Sequence, residues 1–419
     1  MNVTLNRPVP SGYIDAIPSK SHAHRLLICA ALADRPTRIR CPQTNNDIDA
    51  TARCLTALGA KIDYDGEWFD VTPIDRSAKN EEDDFAILNC GESGSTLRFM
   101  VPVVLALGRN VKFQMEGRLP TRPMSPLREV LIEHGAVLSD AGSNPLSVSG
   151  KLRGGDFTFD GGISSQFTTG LLLALPLLNE SASVTLTGKV ESRPYIDLTL
   201  ASMKSFGVTP VDDGNRFTVG PSNYLSPRSV TVEGDWSNAA FMLCCGALSH
   251  DGVTVGGLNI NSTQGDREVL NILKHFGADC AVTENGIAVK KNTLSGIEID
   301  AADIPDLVPV LSTIASVAHG TTVIKNCQRL RLKESDRLAT VSEMLGNLGA
   351  DIKIDGDSLI IDGKEMLQGG TAQSYNDHRI VMSAAVASCV CINSVTIVDA
   401  EAVNKSYPAF FGDLEKISK

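Results

Sequence analysis

Between Lys20 and Arg25 the sequence crowds two cations, a serine and two histidines onto the head of a run, Leu26 to Ala33, as apolar as a buried helix. A helix start exposes unpaired N–H groups and the positive end of the helix dipole, so cations there are opposed by the helix itself and need a further reason to be present. An anion supplies one: Lys and Arg side chains beside the N–H groups and hydroxyls of a helix start complete a phosphate or carboxylate site. The same residue types recur at other candidate helix heads: Gly94, Ser95, Thr96 and Arg98; Ser164, Ser165 and Gln166; Asp306; and Asn376, Asp377, His378 and Arg379.

Two more stretches are dense in chemistry. RLRLKESDRL gathers Arg329, Arg331, Lys333, Glu334, Asp336 and Arg337 before an amphipathic run, and EGRLPTRP puts Arg118 and Arg122 in a proline-stiffened loop. Plainer readings exist for some of these. Ser237, Asp377 and Ser95 could be ordinary helix caps, Glu334 and Asp336 favourable first-turn charges, and the arginine loop merely solvated. For Lys20, Arg25 and Arg379 the functional reading is favoured over the plainer one, because a cation opposes the dipole at a helix start. His22 and His24 are metal-ligand types without a carboxylate or cysteine set around them, so no metal site is expected. Neither GxxxxGK[ST] nor a strand-linked GxGxxG occurs, and GESGSTLR alone is a weak phosphate signal.

The elements that must position these residues form an internal repeat. The heads Ser21, Ser95, Ser165, Ser237, Asp306 and Asp377 each open an apolar run, and successive heads lie 74, 70, 72, 69 and 71 positions apart. Six copies account for the chain, with a period far longer than that of solenoid repeats. Between the apolar runs lie amphipathic ones, each ending at a glycine (Gly59, Gly135, Gly207, Gly277, Gly349) where a helix C-terminus wants a left-handed residue, and each followed by two short strand-like stretches around a turn. A sixth amphipathic run at FFGDLEKISK is truncated, which suggests completion by the N-terminal strand. Each unit then holds one helix buried all round and one with a wet face. Three units per domain is the simplest packing, and identical units make the buried helices of a domain parallel, with their heads on one face.

Length and composition bound the rest. At 419 residues, 42% apolar and 21% charged, the chain reads as a globular protein of two large domains. A net charge of −11 argues against a nucleic-acid or acidic-membrane partner, so any anion must be gathered by a local cluster. Apolar runs such as GLLLALPLL are too short to span a bilayer. Ten scattered cysteines with no CxxC pair, and no secretory segment, suggest a reducing cytoplasm.

The blocks PSKSHAHR, GESGSTLR, GRLPTRP, GGISSQF, ESRPYID, VEGDWSNA, DIPDLVP, LKESDR, YNDHR and NKSYP, in this order and spacing, resemble the 5-enolpyruvylshikimate-3-phosphate synthase family from end to end. The resemblance implies an inside-out α/β barrel fold of two three-unit domains, residues 1–19 plus 233–419 and residues 20–232. The chain crosses between them twice, and the domains close around two anionic substrates. It implies transfer of the enolpyruvyl group of phosphoenolpyruvate to the 5-hydroxyl of shikimate-3-phosphate, with release of phosphate, through a tetrahedral adduct. Carried over by position, Lys20, Gly94, Arg118, Gln166, Arg337, Arg379 and Lys405 resemble the phosphoenolpyruvate contacts. Ser21, Arg25, Ser164, Ser165, Gln166, Ser192, Tyr195, Asp306 and Lys333 resemble the shikimate-3-phosphate contacts. Asp306 and Glu334 match the acids of proton transfer, with Lys20 bridging. Such chemistry needs no metal or organic cofactor, and the expected partners are the two small-molecule substrates, bound by a cytoplasmic monomer. Two departures stand out: Glu92 where the family often has Asn, and His22, Ala23, His24 and Arg25 where it often has S-N-R. The alternatives are a transferase acting on UDP-N-acetylglucosamine, whose matching loop carries a cysteine absent between Cys90 and Cys244 here, and a non-catalytic phosphometabolite-binding protein, which has no need of Asp306 and Glu334. The cations contributed by the two halves are expected to repel one another until a ligand neutralises them.

Overall fold

The computed structural model describes residues 1–76 and 85–418. The chain divides into two compact units, Met1–Ser19 with Glu233–Lys419, and Lys20–Val232. Six apolar runs form the buried helices: Lys20–Ala31, Gly94–Ala106 and Ser165–Ala174 in the second unit, Trp236–Leu248, Val308–Ala315 and His378–Ser388 in the first. Every residue of Trp236–Leu248 is buried, as expected of a helix with no polar face. Four of these helices begin on a side-chain cap: Ser93 accepts from Thr96 N, Ser164 from Gln166 N, Asp235 from Asn238 N and Asp377 from Arg379 N.

The caps correct the sequence reading in two places. Ser95 and Ser237 stand one or two residues inside their helices, and the capping falls to Ser93 and Asp235, so both first-turn hydroxyls have other work. Asp306 lies just outside its helix, which begins at Val308.

The amphipathic runs form the helices Asn46–Ala57, Leu127–Glu133, Arg193–Ser205, Val269–Phe276, Arg337–Asn347 and Phe410–Lys416. Val269–Phe276 shows why a glycine follows. Gly277 has φ +104°, and a Cβ there would lie 2.3 Å from the Thr293 carbonyl oxygen, so only glycine meets both demands.

Each unit packs its sheets outside its buried helices. In the second unit Gly155–Asp160 runs parallel to Ala182–Thr187, the connection between them being the buried helix Ser165–Ala174. Arg216–Val219 pairs antiparallel on the other side and Val211–Asp212 closes the edge. Strand alternation turns Phe157, Phe159, Val184, Leu186, Phe217 and Val219 onto the helices.

Three sheets borrow a strand from a distant part of the chain. Ser229–Thr231 lies parallel to Thr37–Arg40, and Gly12–Asp15 lies parallel to Val253–Gly256. Each restores the first strand of a copy at a point where the chain passes from one unit to the other. Val3–Leu5 pairs antiparallel with Val395–Val398 and completes the last, truncated copy, as the sequence suggested.

Candidate active site

The chemistry-bearing residues of the first unit converge on Arg337, the opening residue of Arg337–Asn347. Its guanidinium, 1% exposed, donates from Nη1 to Asp306 Oδ1 at 2.7 Å, from Nε to Asp377 Oδ2 at 2.8 Å and from Nη2 to Glu334 Oε2 at 2.6 Å. Asp336 accepts from Ala339 N and is the cap of this helix, so Glu334 is not a capping residue. Lys333 Nζ donates to Asp306 Oδ1 at 3.2 Å. Arg379 donates from Nη1 to the Asp306 carbonyl at 2.9 Å and from Nη2 to Ser237 Oγ at 2.7 Å, with Asp306 Oδ2 3.5 Å away. Lys405 Nζ donates to the carbonyl of Asn376, next to Asp377, at 2.6 Å. One constellation thus holds Asp306, Lys333, Glu334, Arg337, Arg379 and Lys405.

Electrostatics sort the acids into two kinds. Burial alone would raise Asp306, but Arg379, Lys333 and Arg337 outweigh it and hold the carboxyl well below its ordinary value. Asp377, fully buried, is likewise penalised by burial and lowered by Arg337. Burial lowers Lys333, and Asp306 opposes that shift. Asp266 behaves oppositely: burial, then the nearby Asp306, push it up to about 6, against Arg379 and a hydrogen bond from Ser237. The sequence reading missed Asp266 altogether, because an acid following QG in a turn carries no visible signal of burial.

These shifts fix the pH dependence of folding. A lowered carboxyl contributes stability that is present above its unfolded value and lost as pH falls through the folded one, so Asp306 and Asp377 weaken the fold only in acid. A raised carboxyl contributes stability present below its unfolded value, 3.8 for Asp266, and lost as pH rises through about 6. Asp266→Asn should therefore stabilise the protein at pH 8, on the order of 1–3 kcal/mol, and change little at pH 4. Chemical denaturation at the two pH values measures this; equal shifts at both would contradict it.

In the second unit the heads of the buried helices are laced together. Arg98 Nη1 donates to Gln166 Oε1 at 2.6 Å and Gln166 Nε2 to Ser95 Oγ at 2.9 Å, joining the heads of Gly94–Ala106 and Ser165–Ala174. Gly94 sits beneath guanidinium groups: a Cβ there would lie 2.7 Å from Arg122 Nη1 and 3.2 Å from Arg98 Nη1. Lys20 Nζ pairs with Asp47 Oδ2 at 2.9 Å. Arg25 is buried, donating from Nε to Thr199 Oγ1 at 2.8 Å, from Nη1 to the Ser21 carbonyl at 2.6 Å and from Nη2 to Thr169 Oγ1 and the Tyr195 carbonyl at 3.2 and 3.0 Å. Those bonds gather Ser21, Arg25 and Tyr195 at one place. Ser165 is buried behind the cap residue Ser164, and Ser192 is a buried left-handed residue (φ 55°) just before Arg193–Ser205. Arg118 stands exposed at the start of the short 3₁₀ turn Leu119–Thr121. The departure at Glu92 lies against Gly117, next to Arg118: a Cβ on Gly117 would be 2.5 Å from Glu92 Oε2.

The expectation of mutually repelling cations needs correction at this point. Lys20, Lys333, Arg337 and Arg379 each already face a carboxylate of their own unit, so an incoming anion competes with Asp47 or Asp306 instead of relieving bare charge. Among the described residues, no group of three or more His, Cys, Asp or Glu is placed to hold a metal ion. No helix among them is long and apolar enough to cross a membrane.

The family model of EPSP synthase (3-phosphoshikimate 1-carboxyvinyltransferase) matches residues 9–414. The chain belongs to the EPSP synthase family. Relatives named 3-phosphoshikimate 1-carboxyvinyltransferase include those of Clostridium kluyveri, 39% identical over 99% of this chain and 97% of the relative, and Clostridium botulinum, 40% identical over 97% and 95%. Among solved structures, the EPSP synthase of Acinetobacter baumannii superposes over 100% of this chain and 98% of its own with a TM-score of 0.82 at 26% identity. The enolpyruvyl transferase NikO of Streptomyces tendae, at 17% identity and a TM-score of 0.76, shares the fold. The EPSP synthase fold, an α/β architecture of six repeats, is therefore that of this chain.

Proposed function

We propose that this chain transfers the enolpyruvyl group of phosphoenolpyruvate to the 5-hydroxyl of shikimate-3-phosphate, releasing phosphate, as a cytoplasmic monomer. The observation that carries the reading is the Arg337 constellation, in which two acids of the expected chemistry, Asp306 and Glu334, share one buried guanidinium. A protein that only bound phosphometabolites would have use for the cations but not for this pair of acids. The absence of a cysteine between Cys90 and Cys244 favours shikimate-3-phosphate over a UDP-sugar acceptor.

The reaction needs one proton delivered to the methylene carbon of phosphoenolpyruvate while the acceptor hydroxyl loses its own and its oxygen bonds to the neighbouring carbon. The adduct then returns a methyl proton and expels phosphate. An acid and a base must exchange roles between the steps. Asp306 enters as the ionised partner, held low by Arg379, Lys333 and Arg337. Anionic substrates that draw Lys333, Arg379 and Arg337 onto themselves raise its proton affinity, so Asp306 becomes a better base when the site fills. Glu334 is the second acid, and Lys20, beside Asp47, bridges the reacting groups.

Phosphoenolpyruvate is assigned to Lys20, Gly94, Arg118, Gln166, Arg337, Arg379 and Lys405. Shikimate-3-phosphate is assigned to Ser21, Arg25, Ser164, Ser165, Gln166, Ser192, Tyr195, Asp306 and Lys333. Clustered cations and helix-start N–H groups preorganise both anions without a metal. Because Ser164, not Ser165, supplies the helix cap, Ser165→Ala should weaken shikimate-3-phosphate binding about ten- to a hundredfold, the loss of one charge-assisted hydrogen bond. Calorimetry checks this, and unchanged binding would remove Ser165 from the phosphate site.

Turnover in D₂O tests the addition and elimination itself. A methyl intermediate requires deuterium to enter the methylene group of the enolpyruvyl product. An undeuterated product at full turnover would exclude that route.

A further inference from the structure

Behind the glycine-rich helix head runs a chain of buried polar side chains that the roles above do not use. His24 Nδ1 lies 2.7 Å from Thr51 Oγ1, Thr51 Oγ1 lies 2.7 Å from Thr96 Oγ1, and Thr96 Oγ1 donates to Ser93 Oγ at 2.8 Å. All four side chains are buried. Lys20–Asp47 and His24–Thr51 form two rungs, one helical turn apart, between Lys20–Ala31 and Asn46–Ala57.

The direction of the chain follows from its far end. Among the described residues His24 Nε2 is buried without a hydrogen-bond partner, and its ring stands perpendicular to that of Phe99, 6.2 Å away between centroids. A proton on Nε2 would be a buried donor with no acceptor, a costlier defect than a bare lone pair. Burial, then Lys20 and Arg25, push the imidazole well below its ordinary value, so the ring is neutral and carries one proton. That proton belongs on Nδ1. His24 then donates to Thr51, the single hydrogen of Thr51 goes to Thr96, and that of Thr96 goes to Ser93, since its other acceptor, the Asp47 carbonyl, is 3.5 Å away. Ser93 Oγ also accepts from Thr96 N as the helix cap, so both of its lone pairs are committed in one orientation.

We propose that His24 is a positioning residue for the phosphoenolpyruvate site: as first donor of this one-way relay it fixes the Ser93 cap and, with it, the N–H groups of Gly94 and Ser95. The inference rests on the assignment of phosphoenolpyruvate to Gly94 made above. It also gives the departure at His24 a task, because the ring holds a donor at the start of the relay while it lies perpendicular to the ring of Phe99.

Three variants test it. His24→Leu removes the donor, Thr51→Val cuts the relay one link later, and His24→Asn restores a donor nitrogen at the same number of bonds from Cβ as Nδ1. The expected result is a KM for phosphoenolpyruvate raised about three- to thirtyfold in His24→Leu and Thr51→Val, the range of a disturbed helix cap, with affinity for shikimate-3-phosphate unchanged. His24→Asn should return KM to near the wild-type value. The double variant His24→Leu/Thr51→Val should be no worse than the poorer single one, because both cut the same chain. A lower Tm with unchanged KM would reduce His24 to packing, His24→Asn as impaired as His24→Leu would remove the donor from the argument, and additive effects would deny the relay. Should His24→Leu fail to fold, Thr51→Val and His24→Asn decide alone: an unchanged KM in Thr51→Val, or His24→Asn as impaired as Thr51→Val, overturns the relay. Gly94→Ala separates the two levels, since its Cβ would strike Arg122 Nη1. If Gly94→Ala leaves KM for phosphoenolpyruvate unchanged, the site assignment fails; if it raises KM while Thr51→Val does not, only the relay fails.

Discussion

Glu334→Gln should lower turnover by about 10²–10⁴, the range of general acid–base catalysis, while shikimate-3-phosphate still binds. Glutamine keeps the shape of the side chain and can still accept from Arg337 Nη2, the 2.6 Å partner of Glu334, but it cannot take up and release a proton. The loss therefore appears in the chemical step and spares ground-state binding. Because Asp336 caps the helix, the variant should not show the stability loss of about 1 kcal/mol that removal of a cap brings. Steady-state kinetics and a melting curve on this one variant decide the matter. Near-wild-type turnover would leave Asp306 and Lys20 to carry the proton.

Arg337→Leu is expected to cost about 3–5 kcal/mol of stability and to abolish activity. The guanidinium is the counter-charge of Asp377, which is fully buried, and it also binds Asp306 and Glu334. Leucine fills part of the volume but leaves the Asp377 carboxylate buried with its main cation removed. Asp377 must also keep accepting from Arg379 N as the cap of His378–Ser388, so the damage spreads to Arg379, the second buried arginine of the constellation. Urea denaturation with and without the substitution measures the effect. A loss below about 1 kcal/mol, the value of an exposed ion pair, would contradict the structural role assigned to Arg337.

The sequence made the repeat and the helix heads legible because both are periodic. Apolar runs about 70 residues apart became the six buried helices, and the glycines at 59, 135, 207, 277 and 349 all take the left-handed conformation their position demanded. The exchanged strands Gly12–Asp15 and Ser229–Thr231 were not legible, since nothing local in a short strand says which distant strand it pairs with. Among site residues, Arg337, Glu334 and Asp306 stood out by type, but their mutual pairing did not, because it joins positions far apart in the chain. Asp47 was invisible for the same reason, and Asp266 because nothing in the residues around it signals burial. Arg25 illustrates the limit in the other direction: its charge at a helix head suggested an anion, whereas its guanidinium is largely occupied by Thr199, Thr169 and two backbone carbonyls. Its hydrogen bonds tie the head of Lys20–Ala31 to the Tyr195 region.

The most direct test of the proposed activity is the release of inorganic phosphate from phosphoenolpyruvate by the purified full chain under three conditions: with shikimate-3-phosphate, with UDP-N-acetylglucosamine, and with neither. The expected result is rapid, stoichiometric phosphate release with shikimate-3-phosphate alone, accompanied by a product heavier than the acceptor by one enolpyruvyl group. Release with the UDP-sugar but not with shikimate-3-phosphate, or no acceptor-dependent release at all, would contradict the assignment.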